Sequence, residues 1–352
     1  MVVVVGIDVH KQTHCAVAVD EGGRQLGREL TVRATDAGHR QLLRWARRVV
    51  PDASVQFAVE DCRHVSARLE RALLDAAATV VRVPPKLMAQ TRSSARTRGK
   101  SDPIDALAVA RAAVREPDLP RAEHTHASRE LKLLVDHRED LVGTRTRLQN
   151  RLRWRLHELD PEFDPPARGL DLAKQHDRVQ ARLEELPSGT VRRIALEELA
   201  DIRALTGRIN GLEKEISELV RAQAPQLLEL PGCGPLTAAK LLGETANPAR
   251  FRSEACFAMH AGVAPIPASS GKTDRHRLAR GGNRQLNAAL HRIAVTQIRL
   301  HGLGRTYHQR RRGQGDTTME ALRALKRRLA RVVFHLLDPT NTAAPACLPA
   351  AA

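Results

Sequence analysis

Gly6-Ile7-Asp8-Val9-His10-Lys11, directly after the apolar run Val2-Val3-Val4-Val5, is the stretch that decides the fold. A short unbroken run of β-branched residues reads as an interior strand covered on both faces. It ends in a carboxylate, at the strand end where α/β sheets usually place their chemistry. Polar and basic residues follow at once, so the chain leaves the sheet there.

Outward from this strand, residues 14–19 and 25–32 read as two more strands, with Asp20-Glu21-Gly22-Gly23 as the turn between them. Thr35 or Asp36 caps a helix running to about Val50, with Leu42, Leu43, Trp45, Ala46 and Val49 on its apolar side. Pro51 and Asp52 stop it. Residues 54–59 form a strand that delivers Glu60, followed by a helix over 65–77, a strand over 79–83 and a break at Pro84-Pro85. The basic stretch 92–100 is expected to stay mobile until it meets a ligand, with Arg98 and Lys100 as candidate phosphate contacts. Ser101 then caps a helix with Pro103 in its first turn, carrying Asp102 and Asp105 and continuing through 106–114. The order βββαβαβα is the ribonuclease H plan, a mixed sheet with helices packed on it.

That plan gives four acids a common destination. Asp102 and Asp105 are three apart on a helix, so both carboxylates leave one face. The first strand and the Glu60 strand are neighbours in this fold, and the last helix crosses them. Singly, each acid reads as a surface carboxylate or a helix cap. Together, Asp8, Glu60, Asp102 and Asp105 would repel at neutral pH unless a divalent ion bound them, and oxygen-only ligation favours Mg²⁺ or Mn²⁺. Two such ions suit phosphoryl transfer. His10 and Lys11 either reach substrate phosphate or mark a solvated strand exit. His14 and His64 read as structural, and strand alternation turns Asp61 to the face opposite Glu60.

Composition agrees. The chain has 352 residues, a net charge of +17 and an isoelectric point of about 10.8, so a polyanion is the expected partner. Aromatics are only 2%, which favours phosphate contacts by Arg and Lys over base stacking. The five cysteines are scattered without metal spacing and read as reduced thiols. No apolar run is long enough to span a membrane, and a cytoplasmic protein associated with nucleic acid is expected.

Four regions are expected: an α/β catalytic domain over 1–125, a helical coiled-coil stalk over 126–223, a mainly α domain over 224–338, and a disordered tail over 339–352. In the stalk, Ile202, Leu205, Ile209, Leu212, Ile216 and Leu219 alternate three and four apart, a heptad seam. Leu131, Leu134, Leu141, Leu148, Leu152 and Leu159 keep a rougher version. The two stretches form an antiparallel stalk, folded on itself or pairing with another subunit, or a plain helical bundle.

In the third region, Leu230-Pro231-Gly232-Cys233-Gly234-Pro235 reads as the hairpin of a helix-hairpin-helix, with Gly232 and Gly234 letting backbone N–H groups face a phosphate. Ser269-Ser270-Gly271 precedes a basic run holding Lys272, Arg275, Arg277, Arg280 and Arg284, candidate nucleic-acid contacts. As residues alone, Ser-Ser-Gly is most often a flexible polar loop, and no base stands near it in sequence. An Arg-rich helix over 320–337 closes the region.

The chain resembles the "one-ten" insertion-sequence transposases, the DEDD family related to Piv-type invertases. The resemblance is carried by Gly6-Ile7-Asp8-Val9-His10-Lys11, Lys100-Ser101-Asp102-Pro103-Ile104-Asp105-Ala106 and Leu230-Pro231-Gly232-Cys233-Gly234. It continues in Ser269-Ser270-Gly271, Arg280-Gly281-Gly282-Asn283 and Ala321-Leu322-Arg323-Ala324-Leu325-Lys326-Arg327, so it covers roughly residues 2–337. It implies a RuvC-like N-terminal domain, a coiled coil and a C-terminal transposase domain. It further implies that the four acids bind Mg²⁺ and that a C-terminal serine, here Ser270, attacks DNA to form a phosphoserine link. Family members are also similar in binding a structured noncoding bridge RNA that pairs with donor and target DNA, which adds DNA, RNA and a dimer or tetramer of this chain to the expected partners. Arg277-Leu278-Ala279-Arg280 stands where many members read Gly-Ile-Ser-Lys, leaving the four acids and Ser270 intact. The rival expectations are a hydrolytic RuvC-like nuclease such as a junction resolvase, an invertase without an RNA guide, and a nucleic-acid-binding protein with a decayed site.

Overall fold

The structure is a computed structural model. It describes residues 2–49, 51, 54–60, 65–93, 99, 101–119, 121–123, 125–268, 276–277, 279 and 281–338. The chain divides into two compact units, Met1–Thr125 together with Ala246–Ala352, and His126–Thr245.

The first unit begins with β1 (Val2–Val9), β2 (Thr13–Val19), β3 (Gln25–Arg33), α1 (Asp36–Val49), β4 (Ser54–Glu60), α2 (Ala67–Asp75), β5 (Thr79–Val83), α3 (Pro85–Ser93) and α4 (Asp102–Arg115). The strands form one sheet in the order β3-β2-β1-β4-β5, with β1 antiparallel to β2 and parallel to β4. This is the expected plan, with the opening strand at its centre. Alternation sorts β1 between two cores. Val3, Val5, Ile7 and Val9 pack with Leu42 and Ala46 of α1 and with Leu69 and Leu73 of α2. Val4 faces the other side, with Val17, Ala58, Val81 and the alanines of α4. A strand buried on both faces must be apolar throughout, which is why residues 3–5 show no alternation.

Helix α4 lies against β1 at backbone distance. A Cβ on Gly6 would sit 2.3 Å from the Ala106 carbonyl oxygen and 2.4 Å from the Ala110 amide nitrogen. Only hydrogen at Gly6, and small residues on the facing stripe of the helix, permit that approach.

Thr35 caps α1 as expected, its hydroxyl accepting from the Gly38 N–H at 3.2 Å. Ser101 does not cap α4 through its side chain; it takes the extended conformation of that position, and its carbonyl accepts from the Asp105 N–H. Helix α3 replaces the expected break at Pro84-Pro85 and takes in Arg92 from the stretch expected to be mobile. Proline is tolerated in a first turn, and the Pro84 carbonyl accepts from the N–H groups of Leu87 and Met88.

The second unit holds α5 (His126–Leu159), α6 (Ala173–Glu185), α7 (Thr190–Gln223) and α8 (Pro235–Thr245). Helices α5 and α7 pack antiparallel within the chain: Arg138 meets Glu213 at 2.9 Å, Arg145 meets Thr206 at 3.2 Å and Arg155 meets Glu198 at 3.0 Å. In the seam, Ile202, Ile209 and Ile216 are buried, while Leu205, Leu212 and Leu219 are half-buried. Helix α8 joins this unit by ion pairs from Lys240 to Glu139 and from Lys132 to Glu244.

The first unit resumes with α9 (Glu254–His260), the two-residue strands β6 (Ile266–Pro267) and β7 (His276–Arg277), α10 (Arg284–Arg299), α11 (Leu303–Gly313) and α12 (Thr318–Leu337). Helix α12 packs on α9, α10 and α11, and starts in a capping box between Thr317 and Glu320. Arg250 donates to the Arg121 carbonyl at 2.9 Å, and Asn247 to Glu123 at 2.6 Å, tying this segment to the first. The expected tail lies outside the described residues. Among the described residues, no helix is long and apolar enough to cross a membrane.

Behind the sheet, His14 of β2 stacks on His39 of α1, with their Nε2 atoms 3.3 Å apart. Burial lowers the pKa of both rings; His39 adds to the effect on His14, and Arg68 to that on His39. His14 falls from 6.5 to about 4.

Two outcomes are expected. Gly6→Ala forces α4 off the sheet and lowers unfolding stability in urea by about 3 kcal/mol or more, the range of core overpacking or above. His14 takes up a proton more readily in the unfolded chain than in the folded one. Its contribution is therefore present above its unfolded pKa and lost as pH falls from about 6.5 toward about 4. That loss is about 3 kcal/mol, and denaturation at several pH values should show a shallower acid slope in His14→Asn.

Candidate active site

The site is set by two lengths. Gly6 and Asp8 share a face of β1 two residues apart, roughly 6.7 Å along a strand. Asp102, Ala106 and Ala110 repeat every four residues on α4, and one such step is roughly 6 Å along a helix. With Ala106 and Ala110 seated on Gly6, Asp102 falls beside Asp8. On the other flank, β1 and β4 pair in parallel up to Ile7 with Val59, so Asp8 and Glu60 are the next residues on neighbouring strands.

Asp8 is only 5% exposed and Asp105 7%, whereas Asp102 is exposed and Glu60 half-buried. The Asp8 carboxyl is held above the usual carboxylate range, chiefly by burial. The charges of Asp105, Asp102 and Glu60 raise it further, and His10 opposes them. The other three expected acids thus act on Asp8, and the ligand atoms of Asp8, His10 and Asp102 lie within 4.8 Å of one another. Asp105 has a partner: Arg92 Nη1 lies 2.8 Å from its Oδ1. Asp8 Oδ2 is buried and accepts no hydrogen bond, although His10 Nε2 lies 3.0 Å away. A buried carboxylate oxygen without a hydrogen-bond donor, among further carboxylates, is a donor set that fits a divalent cation.

The other expected residues scatter. Lys11 is exposed in the turn after β1, Arg277 is exposed in β7, and Arg284 is exposed at the start of α10. Gly232 and Gly234 precede α8 in the second unit; Gly232 has φ +86°, the left-handed region that glycine tolerates, and a Cβ on Gly234 would meet nothing within 4 Å. Arg98, Lys100, Ser270, Lys272, Arg275 and Arg280 lie outside the described residues, as do Asp61, His64 and Ser269.

Sequence reasoning missed two features. Arg92 reaches Asp105 from α3, a helix hidden by its paired prolines. The other is a clamp that joins the ends of the segment 263–281. The Gly262 and Gly282 backbones cross so closely that a Cβ on Gly282 would lie 2.3 Å from the Gly262 nitrogen. The Asn283 N–H donates to the His260 carbonyl at 2.5 Å, and the Asn283 side chain caps α10. Asn287 donates to the carbonyls of Ala261 at 3.1 Å and Gly262 at 2.9 Å, and Lys326 Nζ donates to its Oδ1 at 2.5 Å. Lys326 is buried, which pushes its pKa down to about 8. The available signals were the pair Gly281-Gly282 and a lysine on the apolar stripe of Ala321-Leu322-Arg323-Ala324-Leu325-Lys326.

Known insertion-element proteins are similar to this chain over nearly its whole length. A model of DEDD transposases of the IS110 type matches residues 5–161, and a model for transposases of the IS116/IS110/IS902 family matches residues 224–309. An insertion element IS116 protein of Streptomyces clavuligerus is 28% identical over 97% of this chain and 96% of its own length. An insertion element IS110 protein of Streptomyces coelicolor is 27% identical over 95% of this chain and 94% of its own. Among solved structures, Thermus thermophilus RuvC in complex with a Holliday junction substrate aligns with 35% of this chain and 100% of its own, at 14% identity and a TM-score of 0.28. The chain belongs to the IS110/IS116/IS902 transposase family.

The clamp gives a stability test. Asn287→Ala removes both bonds to the 261–262 carbonyls and strips Lys326 of that acceptor, a loss of about 2–4 kcal/mol in urea. Lys326→Met in the same background should restore part of it, because a buried amine is then no longer left without its amide partner.

Proposed function

We propose that this chain cuts and exchanges DNA strands through a two-part site. Asp8, Glu60, Asp102 and Asp105 form one part, and Ser270 supplies the nucleophile. The observation that carries the reading is the buried Asp8 carboxyl among three further acids in a chain of the transposase family. Those four side chains would hold Mg²⁺, with Mn²⁺ as a substitute. When bound, such an ion supplies electrostatic stabilisation of the charge that develops on the reacting phosphate.

The chain's own residues do the rest. The Ser270 hydroxyl oxygen forms a bond to the scissile phosphorus, the phosphodiester P–O bond to one deoxyribose breaks, and that sugar oxygen leaves with the proton lost by the serine. The link conserves the phosphodiester, and a DNA hydroxyl from the second duplex reverses the step, returning the proton to the serine. The clamp at 260–262 and 282–287 joins the two ends of the segment that carries Ser270, which supports bringing a serine without a sequence-adjacent base to the acids. A net charge of +17 supports backbone binding of DNA and of a structured bridge RNA that reads donor and target by pairing. The half-buried seam leucines Leu205, Leu212 and Leu219 support a coiled-coil stalk that pairs copies into a dimer or tetramer.

The test is a denaturing gel. Protein purified from cells that also carry the element's flanking noncoding DNA is incubated with donor and target DNA in Mg²⁺. A covalent protein–DNA adduct is expected with the unaltered chain, none with Ser270→Ala, and none after ribonuclease treatment of the complex. Alanine at Asp8, Glu60, Asp102 or Asp105 should lower exchange by about a thousandfold or more while DNA is still bound. Cleaved ends without an adduct would replace this reading with a hydrolytic nuclease.

A further inference from the structure

We propose that His10 is a nitrogen ligand of the divalent-ion site and tilts that site from Mg²⁺ toward Mn²⁺. The inference rests on the metal-binding part of the proposed function and adds a donor and a preference that four carboxylates do not supply.

The turn after β1 places the ring. His10 follows Asp8 by two residues, and its backbone N–H donates to the Thr13 carbonyl at 3.0 Å, which fixes the turn. His10 Nε2 lies 3.0 Å from Asp8 Oδ2 and 3.4 Å from Asp102 Oδ1. The three atoms all fall within 4.8 Å of one another, a separation at which one ion can touch them all. Asp8 Oδ2 is buried and has no hydrogen bond, and the ring nitrogen is its close ionic neighbour. The two carboxylates repel each other, and a cation among these three atoms offsets that repulsion and takes the imidazole nitrogen as a further ligand.

Asp105 explains why a fifth donor is useful. Arg92 takes its Oδ1 at 2.8 Å, so one of its oxygens is already engaged with a guanidinium. Asp102 stands on the same helix, exposed, and His10 lies between it and Asp8 as the donor next in reach. Imidazole suits first-row transition ions and not Mg²⁺. Mn²⁺, the transition ion that also accepts oxygen ligands, tolerates a nitrogen donor better than Mg²⁺ does, so the presence of the ring alters which of the two the site prefers.

Pulsed electron paramagnetic resonance of the full chain with MnCl₂ alone, without nucleic acid, reads the ligand directly. Bound Mn²⁺ should show modulation from a coordinated imidazole nitrogen in the unaltered protein and none in His10→Gln. Calorimetry should give a Kd for Mn²⁺ weakened about 10–100-fold in His10→Gln, with a much smaller change for Mg²⁺. His10 is half exposed, and unfolding of the ion-free variant should match the unaltered chain. Mn²⁺ bound without nitrogen modulation, or modulation that survives in His10→Gln, would overturn the inference and leave the carboxylate site standing. No Mn²⁺ binding in the unaltered chain would overturn both.

Discussion

The contact of α4 with β1 at Gly6 is the constraint on which the rest of this unit depends. It is a backbone-to-backbone approach, with no room for one methyl group between the strand and the Ala106 carbonyl. Such a contact fixes the height and the axial position of the helix together. Since one step of two residues on the strand nearly equals one step of four on the helix, the seating at Gly6 also sets Asp8 beside Asp102. Packing thereby places acids that would not gather by themselves.

The cost is electrostatic. Asp8 is buried, its carboxyl is raised by burial and by three neighbouring acids, and one of its oxygens has no hydrogen bond. A folding unit tolerates such a group because the two sheet cores carry the stability, and an apolar strand buried on both faces supplies much of it. The arrangement is the usual opposition between stability and activity: the residues least favourable to the fold are those that can hold a cation.

Much of this was legible in the sequence. The run Val2-Val3-Val4-Val5 announced a central strand, and the spacing of Asp102 and Asp105 announced a shared helix face. The order of elements along the chain followed from turns and apolar periods, with the neighbouring of the first and Glu60 strands supplied by the ribonuclease H plan. What was hidden has physical causes. Pro84-Pro85 reads as a break, yet proline opens a helix as readily as it stops one, so α3 and the Arg92–Asp105 pair were missed. His10 beside Asp8 offered two equal readings because its distance from Asp102 is set by tertiary packing. Lys326 sits among arginines in sequence and looks solvated; periodicity puts it on the apolar stripe, but its partner Asn287 depends on a helix pairing that periodicity does not encode. The serine assignment came from family resemblance and not from its neighbours.

One measurement tests the central claim that this packing confines mutually repelling acids awaiting a cation. Thermal unfolding of the unaltered chain and of Asp8→Asn is followed with and without Mg²⁺ at neutral pH. The expected result is that Asp8→Asn is the more stable protein without Mg²⁺, because a buried charge has gone, and that Mg²⁺ raises the Tm of the unaltered chain only. A less stable Asp8→Asn, or a Tm of the unaltered chain indifferent to Mg²⁺, would contradict it.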